Sequence, residues 1–377
     1  MLFYGVLLIS IILAWFLLYR LEYKSRRKIY NFLVFFVLFA LLAFRGPMIG
    51  NDTDTYIYIF DAIHQSSSLF ENAMRYELGF VILNGLVGLF SSNAQALFIV
   101  SAAFVILTFR KLLVDNSTKI WLSVFLFVSL KIYTSYMTLL RQSVAIAFIC
   151  LAYDFIKKRK PVLFVIMVLL ASSFHLSALV FLIAYPLSYI RFKPVFFGSA
   201  IAVTGLIFVF FNQFISVLFS ILPVYYSSYM NSRYFVSFTL ANTLNALVIL
   251  VFFLMCVLIF FFAKKKDDLS PAIQQSSSTG KKKAPFYEED LLLYFLLVSF
   301  CIAVIAIRAS TLDRIYLYFW VFLVIAVPNM LDKIEDKRLS TALQMFILSS
   351  SFAYFMITVY IRPEWNHIFP YRFFWQS

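Results

Sequence analysis

The chain has 377 residues, of which 63% are hydrophobic and 13% are charged, and its formal net charge is +14. A soluble domain does not need so large an apolar share, and continuous rather than alternating apolar runs exclude a membrane β-barrel. Most of the basic excess lies in short segments beside the apolar runs, which is the positive-inside bias of membrane proteins and not a sign of nucleic acid as a partner.

The apolar runs predict an all-α polytopic integral membrane protein, a single transmembrane domain over residues 1–377 with about twelve transmembrane helices. The first two predicted spans, Leu2–Tyr19 and Tyr30–Phe44, flank a strongly basic and therefore cytoplasmic loop. Arg45 and the external loop 45–77 are then expected outside. The loop before residue 78 is expected outside and the basic residues Arg110 and Lys111 inside, so residues 78–113 have room for one crossing. The run 78–90 is therefore predicted to be a short re-entrant or interfacial segment.

Basic clusters divide the remaining runs into further spans. These are one crossing that ends near Leu113, then Ile120–Tyr136, Leu139–Phe155, Pro194–Leu222, Asn242–Ala263, Leu291–Ile307, Tyr316–Met330 and Leu343–Tyr360. A polar break at Ser172–His175 predicts two short helices in Pro161–Ile190, with His175 at their outer turn. The polar loop 264–289 is predicted to be mobile and cytoplasmic. Both termini are expected outside.

Charged residues at the outer ends of these spans are the candidate functional groups, because a charge near hydrocarbon is costly unless it faces a cavity. Asp52 and Asp54 either bind a divalent cation or cap the next helix. Arg141 opens a span on the outer side, where its guanidinium either binds phosphate or carboxylate or snorkels to the headgroups.

A histidine flanked by apolar sequence and a pair of arginines near the end of another predicted span complete the candidates. His175 is either a general acid or base or a packed histidine that holds a turn. Arg308 and Arg314 are suited to a diphosphate, with Asp313 orienting one of them, although the Tyr and Trp residues beside them are ordinary at a membrane boundary. The three cysteines sit in separate apolar runs and indicate neither a metal site nor a disulfide.

Taken together, these segments resemble the EpsG family, a branch of the Wzy-type polymerases of surface polysaccharides. The matching elements, in family order, are Arg45 before Gly50-x-Asp52-Thr53-x-x-Tyr56, Glu77-x-Gly79-Phe80, Arg141-Gln142, Phe174-His175-x-Ser177-Ala, Arg314-x-x-x-Tyr318-Phe319 leading to Pro328, and Pro370-Tyr-Arg372. Each motif is short, so their order and spacing carry the resemblance. Asp54 and the loop 264–289 do not match the family pattern, which favours Asp52 over Asp54.

The resemblance implies a glycosyltransferase of the bacterial cytoplasmic membrane with its active site facing outside. Such an enzyme joins oligosaccharide repeat units carried on undecaprenyl diphosphate into a capsule, an exopolysaccharide or an O-antigen. It uses membrane lipid-linked substrates, no nucleotide sugar and no cofactor, and a chain-length regulator is a plausible partner for this family. No metal is required if arginines stabilise the diphosphate.

We therefore predict His175 as the catalytic base, with Asp52 as the alternative. The predicted substrate-binding residues are Arg45, Tyr56, Arg141, Gln142, Arg308, Asp313 and Arg314. A flippase for the same lipid-linked glycan remains an alternative, although no internal repeat is visible and the charges concentrate outside. A membrane glycan acyltransferase or ligase is a second alternative, but it does not explain several arginines.

Overall fold

The computed structural model describes residues 2–19, 24–65, 75–221, 240–269, 286–361, 363 and 367–376. Residues 66–74 of the predicted loop 45–77 and residues 270–285 of the predicted loop 264–289 lie outside the described residues. Within the described ranges every regular element is helical, and an isolated antiparallel bridge joins Arg45 and Phe373. The all-helical class is confirmed, as expected for backbone that must satisfy its own hydrogen bonds in lipid.

The α-helices are numbered here in chain order. They are α1 Leu2–Ala14, α2 Lys24–Ala43, α3 Thr53–Gln65, α4 Leu78–Gly88, α5 Gln95–Asn116, α6 Ile120–Ser129, α7 Ile132–Thr138, α8 Leu140–Lys157, α9 Pro161–Ser172, α10 Ala184–Leu187, α11 Pro194–Val209, α12 Phe211–Ile221, α13 Leu240–Leu269, α14 Glu288–Ala306, α15 Asp313–Trp320, α16 Leu323–Leu331 and α17 Lys337–Met356. Short π-helical turns follow α1 and α17, and 3-10 helices cover Leu176–Ile183, Ser310–Leu312 and Phe374–Gln376.

Fewer crossings are visible than the sequence predicts. Four helices of the described part are long and apolar enough to cross a membrane, and the number rises to seven if each of three bent pairs is one span. The pairs bend by 49° between α6 and α7, by 87° between α11 and α12, and by 48° between Ser310–Trp320 and α16. The structure therefore supports four to seven spans, and about twelve is not confirmed.

Two local predictions are confirmed. Helix α4 has 11 residues, which corresponds to roughly 16 Å and is too short for a bilayer core of about 30 Å. Whether it is interfacial or re-entrant stays a prediction. The run Pro161–Ile190 breaks at Ser173–His175, with α9 on one side and the 3-10 helix Leu176–Ile183 on the other. Helix α13 extends beyond the predicted span to Leu269.

The chain divides into two compact units. Unit 1 contains Met1–Leu179 and Lys337–Ser377, and unit 2 contains Val180–Asp336. In unit 1 an apolar cluster joins the buried face of α3 to α4 and to the first turns of α5 and α8, through residues such as Tyr56, Phe80 and Leu140. This cluster holds the N-terminal ends of α4 and α8 side by side, so it fixes the charged residues that lie there. The single transmembrane domain over residues 1–377 stays a prediction.

Gly50 fixes the segment between α2 and α3. Its φ is +85°, a left-handed conformation that favours glycine, and a Cβ there would collide with the carbonyl oxygen of Met137 at the end of α7. The hydroxyl of Thr53 also reaches the Met137 carbonyl, at 3.4 Å. Asp52 and the start of α3 are therefore held next to the junction between α7 and α8, where Arg141 lies.

Candidate functional site

Three charged or titratable side chains meet in unit 1. Glu77 directly precedes α4, Arg141 lies in the first turn of α8, and His175 follows α9. Arg141 donates through Nη1 to Oε2 of Glu77, and Nδ1 of His175 lies 3.5 Å from Oε1 of the same carboxylate. The three side chains are between 21% and 27% exposed, so they are largely enclosed but still accessible. Each carboxylate oxygen thus faces one basic group.

The backbone places Glu77 beside His175. The amide of Gly79 donates to the carbonyl of Ser173 at 2.8 Å, which joins the start of α4 to the turn after α9. A Cβ at Gly79 would collide with the Ser173 hydroxyl. The same Cβ would lie 2.9 Å from the Ser173 carbonyl oxygen and 3.0 Å from the Phe174 ring. Only glycine allows this approach, so Gly79 sets the separation between the acid and the imidazole.

Local hydrogen bonds end α9 just before the histidine. The amides of Phe174 and His175 both donate to the carbonyl of Ala171, at 3.1 and 3.0 Å, and the His175 carbonyl accepts from the amide of Ala178 at 3.0 Å. His175 therefore sits in a tight turn between α9 and the following 3-10 helix. Its side chain projects from a constrained backbone and not from a mobile loop, which suits both a packed and a catalytic role.

Tyr56 and Asp52 extend the cluster. Tyr56 is buried on α3 and its side chain interacts with the guanidinium of Arg141, which also lies 5.7 Å from the centre of the Phe80 ring. Burial raises the pKa of Tyr56, and the nearby charge of Asp52 acts in the same direction while Arg141 opposes it. Asp52 is half-buried, and its carbonyl accepts from the Tyr56 amide at 3.0 Å.

The electrostatics keep Glu77 ionised. Burial acts to raise the pKa of Glu77, but its interactions with His175 and the positive charge of Arg141 outweigh burial, and the pKa lies below its usual value of 4.5. The carboxylate is therefore charged at neutral pH and can orient both basic side chains. Among the described residues, no group of three His, Cys, Asp or Glu side chains is placed to hold a metal ion.

Arg45 lies elsewhere in unit 1, in an internal position. It is 2% exposed, its Nη1 donates to the Leu42 carbonyl at 2.5 Å and its Nε to the Thr53 hydroxyl at 3.4 Å. The guanidinium also lies 4.3 Å from the centre of the Phe98 ring. Burial lowers the pKa of Arg45 to about 10, so it stays charged at neutral pH. These contacts cap the last turn of α2, and the role of Arg45 in binding substrate stays a prediction.

Gln142 follows Arg141 but is 2% exposed. The two neighbours therefore differ in access: Arg141 is enclosed within the cluster and Gln142 is packed inside the unit. A role for Gln142 in substrate binding stays a prediction.

The second group of predicted residues lies in unit 2, along the connection from α14 to α15. Arg308 is half-buried, with its guanidinium 5.6 Å from the ring centres of both Phe208 and Phe211. Asp313 begins α15 after the 3-10 turn Ser310–Leu312, and the exposed Arg314 follows it. Two arginines and an acid thus stand within one short connection, as the sequence indicates, and their substrate-binding roles stay predictions.

Comparison with known proteins decides the family. The model of the EpsG family matches residues 28–373, nearly the whole chain. The chain belongs to the EpsG family. No curated protein and no solved structure matches it. Membership and the apolar helices identify a membrane protein of polysaccharide biosynthesis, in a family associated with glycosyltransferase-like polymerases and with a lipid-linked saccharide substrate.

Glu77 is the residue that our sequence reasoning did not assign to the site of this EpsG-family protein. It belongs to the matching Glu77-x-Gly79-Phe80 element, and it is an acid placed directly before an apolar run. An arginine at the end of an apolar run needs a counter-ion, so an acid at the end of another apolar run was an available signal. That Arg141 is the partner of Glu77 could not be predicted, because the two residues lie 64 positions apart in the chain.

Proposed function

We propose that this EpsG-family protein is a Wzy-type polysaccharide polymerase. It transfers a growing glycan from its undecaprenyl diphosphate carrier to the non-reducing end of a newly arrived lipid-linked repeat unit, on the outer face of the bacterial cytoplasmic membrane. The observation that carries the proposal is the cluster of Arg141, Glu77 and His175, which combines a partly enclosed cation with an imidazole. Family membership supports the polysaccharide substrate.

The reaction needs stabilisation of a leaving diphosphate. When the sugar–oxygen bond breaks, negative charge grows on the diphosphate, and fixed cationic donors lower the barrier most when they are already oriented. Arg141 has a planar fork of donors, of which Nη1 is held by Glu77. Its Nε is buried without a hydrogen-bond partner among the described residues. A phosphate oxygen would satisfy such a donor.

The reaction also needs a base. The acceptor hydroxyl gives its proton to His175, its oxygen forms the new bond to the anomeric carbon of the donor sugar, and the carrier diphosphate leaves with the electron pair of the broken bond. Asp52 is the alternative base, since it lies near Tyr56 at the edge of the same cluster. The donor already carries a good leaving group, so the proposal uses no nucleotide sugar and no cofactor.

Other predicted residues, in each unit by itself, are proposed to bind anionic groups. Arg308 and Arg314 in unit 2 are proposed to contact diphosphate or acidic sugar, with Asp313 orienting one of them. The aromatic rings beside Arg308 hold its guanidinium without neutralising its charge. Arg45, Tyr56 and Gln142 are proposed as supporting members of the binding set. A chain-length regulator is the proposed protein partner.

The outer location rests on the distribution of basic residues. Clusters such as Lys157–Lys160 and Lys337–Arg338 are proposed to face the cytoplasm, which leaves the ends that carry Arg45, Arg141 and Arg308 on the other side. Lipid-linked repeat units reach that side only after they have crossed the membrane, which is where polymerisation is proposed to take place.

Deletion of the protein in its host tests the function. Lipid-linked glycans are extracted, sized and probed from outside the cell with a membrane-impermeant glycosidase. Loss of a polymerase leaves single repeat units that the glycosidase can reach, and long polymer disappears. Single units that stay protected inside would identify a flippase, and polymer of normal length would identify an acyltransferase or ligase. Either result would overturn the proposal.

A further inference from the structure

Glu77 carries out no chemical step in the proposed reaction, although Arg141 and His175 both face its carboxylate. We propose that Glu77 is a positioning residue that fixes the tautomer of His175, holding the proton on Nδ1 and leaving Nε2 free to accept the proton of the acceptor hydroxyl. The inference rests on the proposed function for its place in the reaction. The orientation of the imidazole rests on geometry alone.

The imidazole needs a partner at this nitrogen. Nδ1 of His175 is buried and has no hydrogen bond of ordinary length among the described residues, while Oε1 of Glu77 faces it at 3.5 Å. A carboxylate accepts and does not donate, so the hydrogen on the facing nitrogen is assigned to Nδ1. Hydrogen bonds of this kind are often long without substrate and shorten when it binds.

Arg141 makes the orientation specific. Its Nη1 occupies Oε2 of Glu77, so the second carboxylate oxygen is the one directed at His175. The carboxylate thus bridges the group proposed to bind diphosphate and the group proposed to take the proton. Binding of the donor diphosphate at Arg141 and removal of the acceptor proton at His175 are linked through the one carboxylate of Glu77.

The backbone supports the arrangement independently of these side chains. The bond between the Gly79 amide and the Ser173 carbonyl, at 2.8 Å, connects residues two positions from Glu77 and two positions from His175. The absence of a side chain at Gly79 permits this distance. The acid and the imidazole are therefore held together by a main-chain contact that is present before substrate binds.

Replacement of Glu77 by glutamine is the sharp test. Glutamine has one acceptor oxygen, for which Arg141 competes, so its NH₂ group turns toward His175 and favours the tautomer with the proton on Nε2. The full-length protein in nanodiscs is labelled with ¹⁵N-histidine, and the spectrum is simple because the chain has 3 histidines. His175→Asn assigns the signal, and the spectra of the wild type and the variants are taken at one and the same alkaline pH.

We expect His175 to show a protonated Nδ1 in the wild type and a protonated Nε2 in Glu77→Gln. An unchanged tautomer would overturn the proposal. With purified lipid-linked repeat units, we expect Glu77→Gln to lower the turnover number by about 10²–10⁴-fold, with an apparent KM within about threefold of the wild type. Glu77→Asp keeps a carboxylate and is expected to retain part of the turnover that Glu77→Gln loses. A normal turnover number in Glu77→Gln would also overturn the proposal.

A double variant and a matched control separate positioning from folding. In a His175→Ala background, adding Glu77→Gln should cost clearly less turnover than it costs in the wild type, because only its effect on the orientation of Arg141 remains. A loss as large as in the wild type would contradict the role of Glu77 in positioning His175. Glu289→Gln removes a similar ion pair in unit 2, that with Lys333 at 2.6 Å, and should leave the histidine spectrum and turnover unchanged. If the wild type does not elongate lipid-linked units, the proposed function fails, while the tautomer is still decided by the spectra.

Discussion

Arg141 in unit 1 and Arg308 in unit 2 are both half-buried arginines near the end of an apolar run, but their surroundings differ. Arg141 is paired with Glu77, whereas Arg308 lies over the faces of Phe208 and Phe211. Of the residues that the structure describes, none forms an ion pair with Arg308. A carboxylate fixes the direction of a guanidinium through its fork of donors, while aromatic rings hold the charge with a broad orientation. The two arginines are therefore expected to differ in how strictly their geometry matters.

The largest effect is expected from Arg141→Ala. It removes the donor proposed for the diphosphate and leaves Glu77 without its ion pair, so we expect long polymer to disappear and turnover to fall by about 10²–10³-fold or more. Turnover of lipid-linked units and the ladder of polymer sizes are the measurements. Arg110→Ala, at an exposed arginine of α5, is the matched control and should leave polymer length unchanged. Normal polymer in Arg141→Ala would exclude Arg141 from the reaction.

Lysine substitutions sharpen the comparison. Lysine keeps the charge but not the planar fork, so Arg141→Lys should lose nearly as much turnover as Arg141→Ala. Arg308→Lys should retain a substantial part of the activity that Arg308→Ala loses, because an ammonium group also binds over an aromatic face. Equal losses for both lysine variants would show that the difference in surroundings has no functional consequence. Protein amount in the membrane is measured for every variant.

Gly79→Ala tests the main-chain contact in unit 1 without changing a charged residue. The added methyl would press on Ser173 and Phe174, so α4 must shift away from the turn at a cost of about 1–3 kcal/mol. We expect folded protein of reduced thermal stability and turnover lowered by about tenfold or more. Gly85→Ala is the matched control on the same helix, since a Cβ there meets nothing within 4 Å. Similar results for the two variants would show that the close approach is unimportant.

The smallest effect concerns pH. The pKa of Glu77 is depressed in the folded state, so its contribution to stability is present above its usual pKa of 4.5 and is lost as the pH falls through the lower folded value. The wild type should therefore be more stable than Glu77→Gln at pH 7, and the gap should narrow below about pH 4. Thermal unfolding of both proteins in nanodiscs between pH 7 and pH 3 measures this. A gap that is constant across the range would show that the carboxylate charge is not involved.

Much of the local organisation is readable from the sequence. The short α4 and the break before His175 follow from polar residues that interrupt apolar runs and from the parity of basic clusters. The bends are not readable: Ile120–Tyr136 was predicted as one span, yet the chain turns at Lys131, whose φ is +62°. Long uniformly apolar runs have no periodicity that marks where one helix ends and another begins. This is also why the predicted number of spans exceeds those the structure supports.

The sequence by itself determined the chemical class of the chain, its helical nature and the family, because composition and ordered motifs are properties of the chain alone. It also identified Arg141 and His175 as candidates. Only the tertiary structure decided that one carboxylate, Glu77, faces both, and that Arg45 is internal. Contacts between residues far apart in the chain depend on how helices pack, and packing here is set by small details such as a missing Cβ at Gly79.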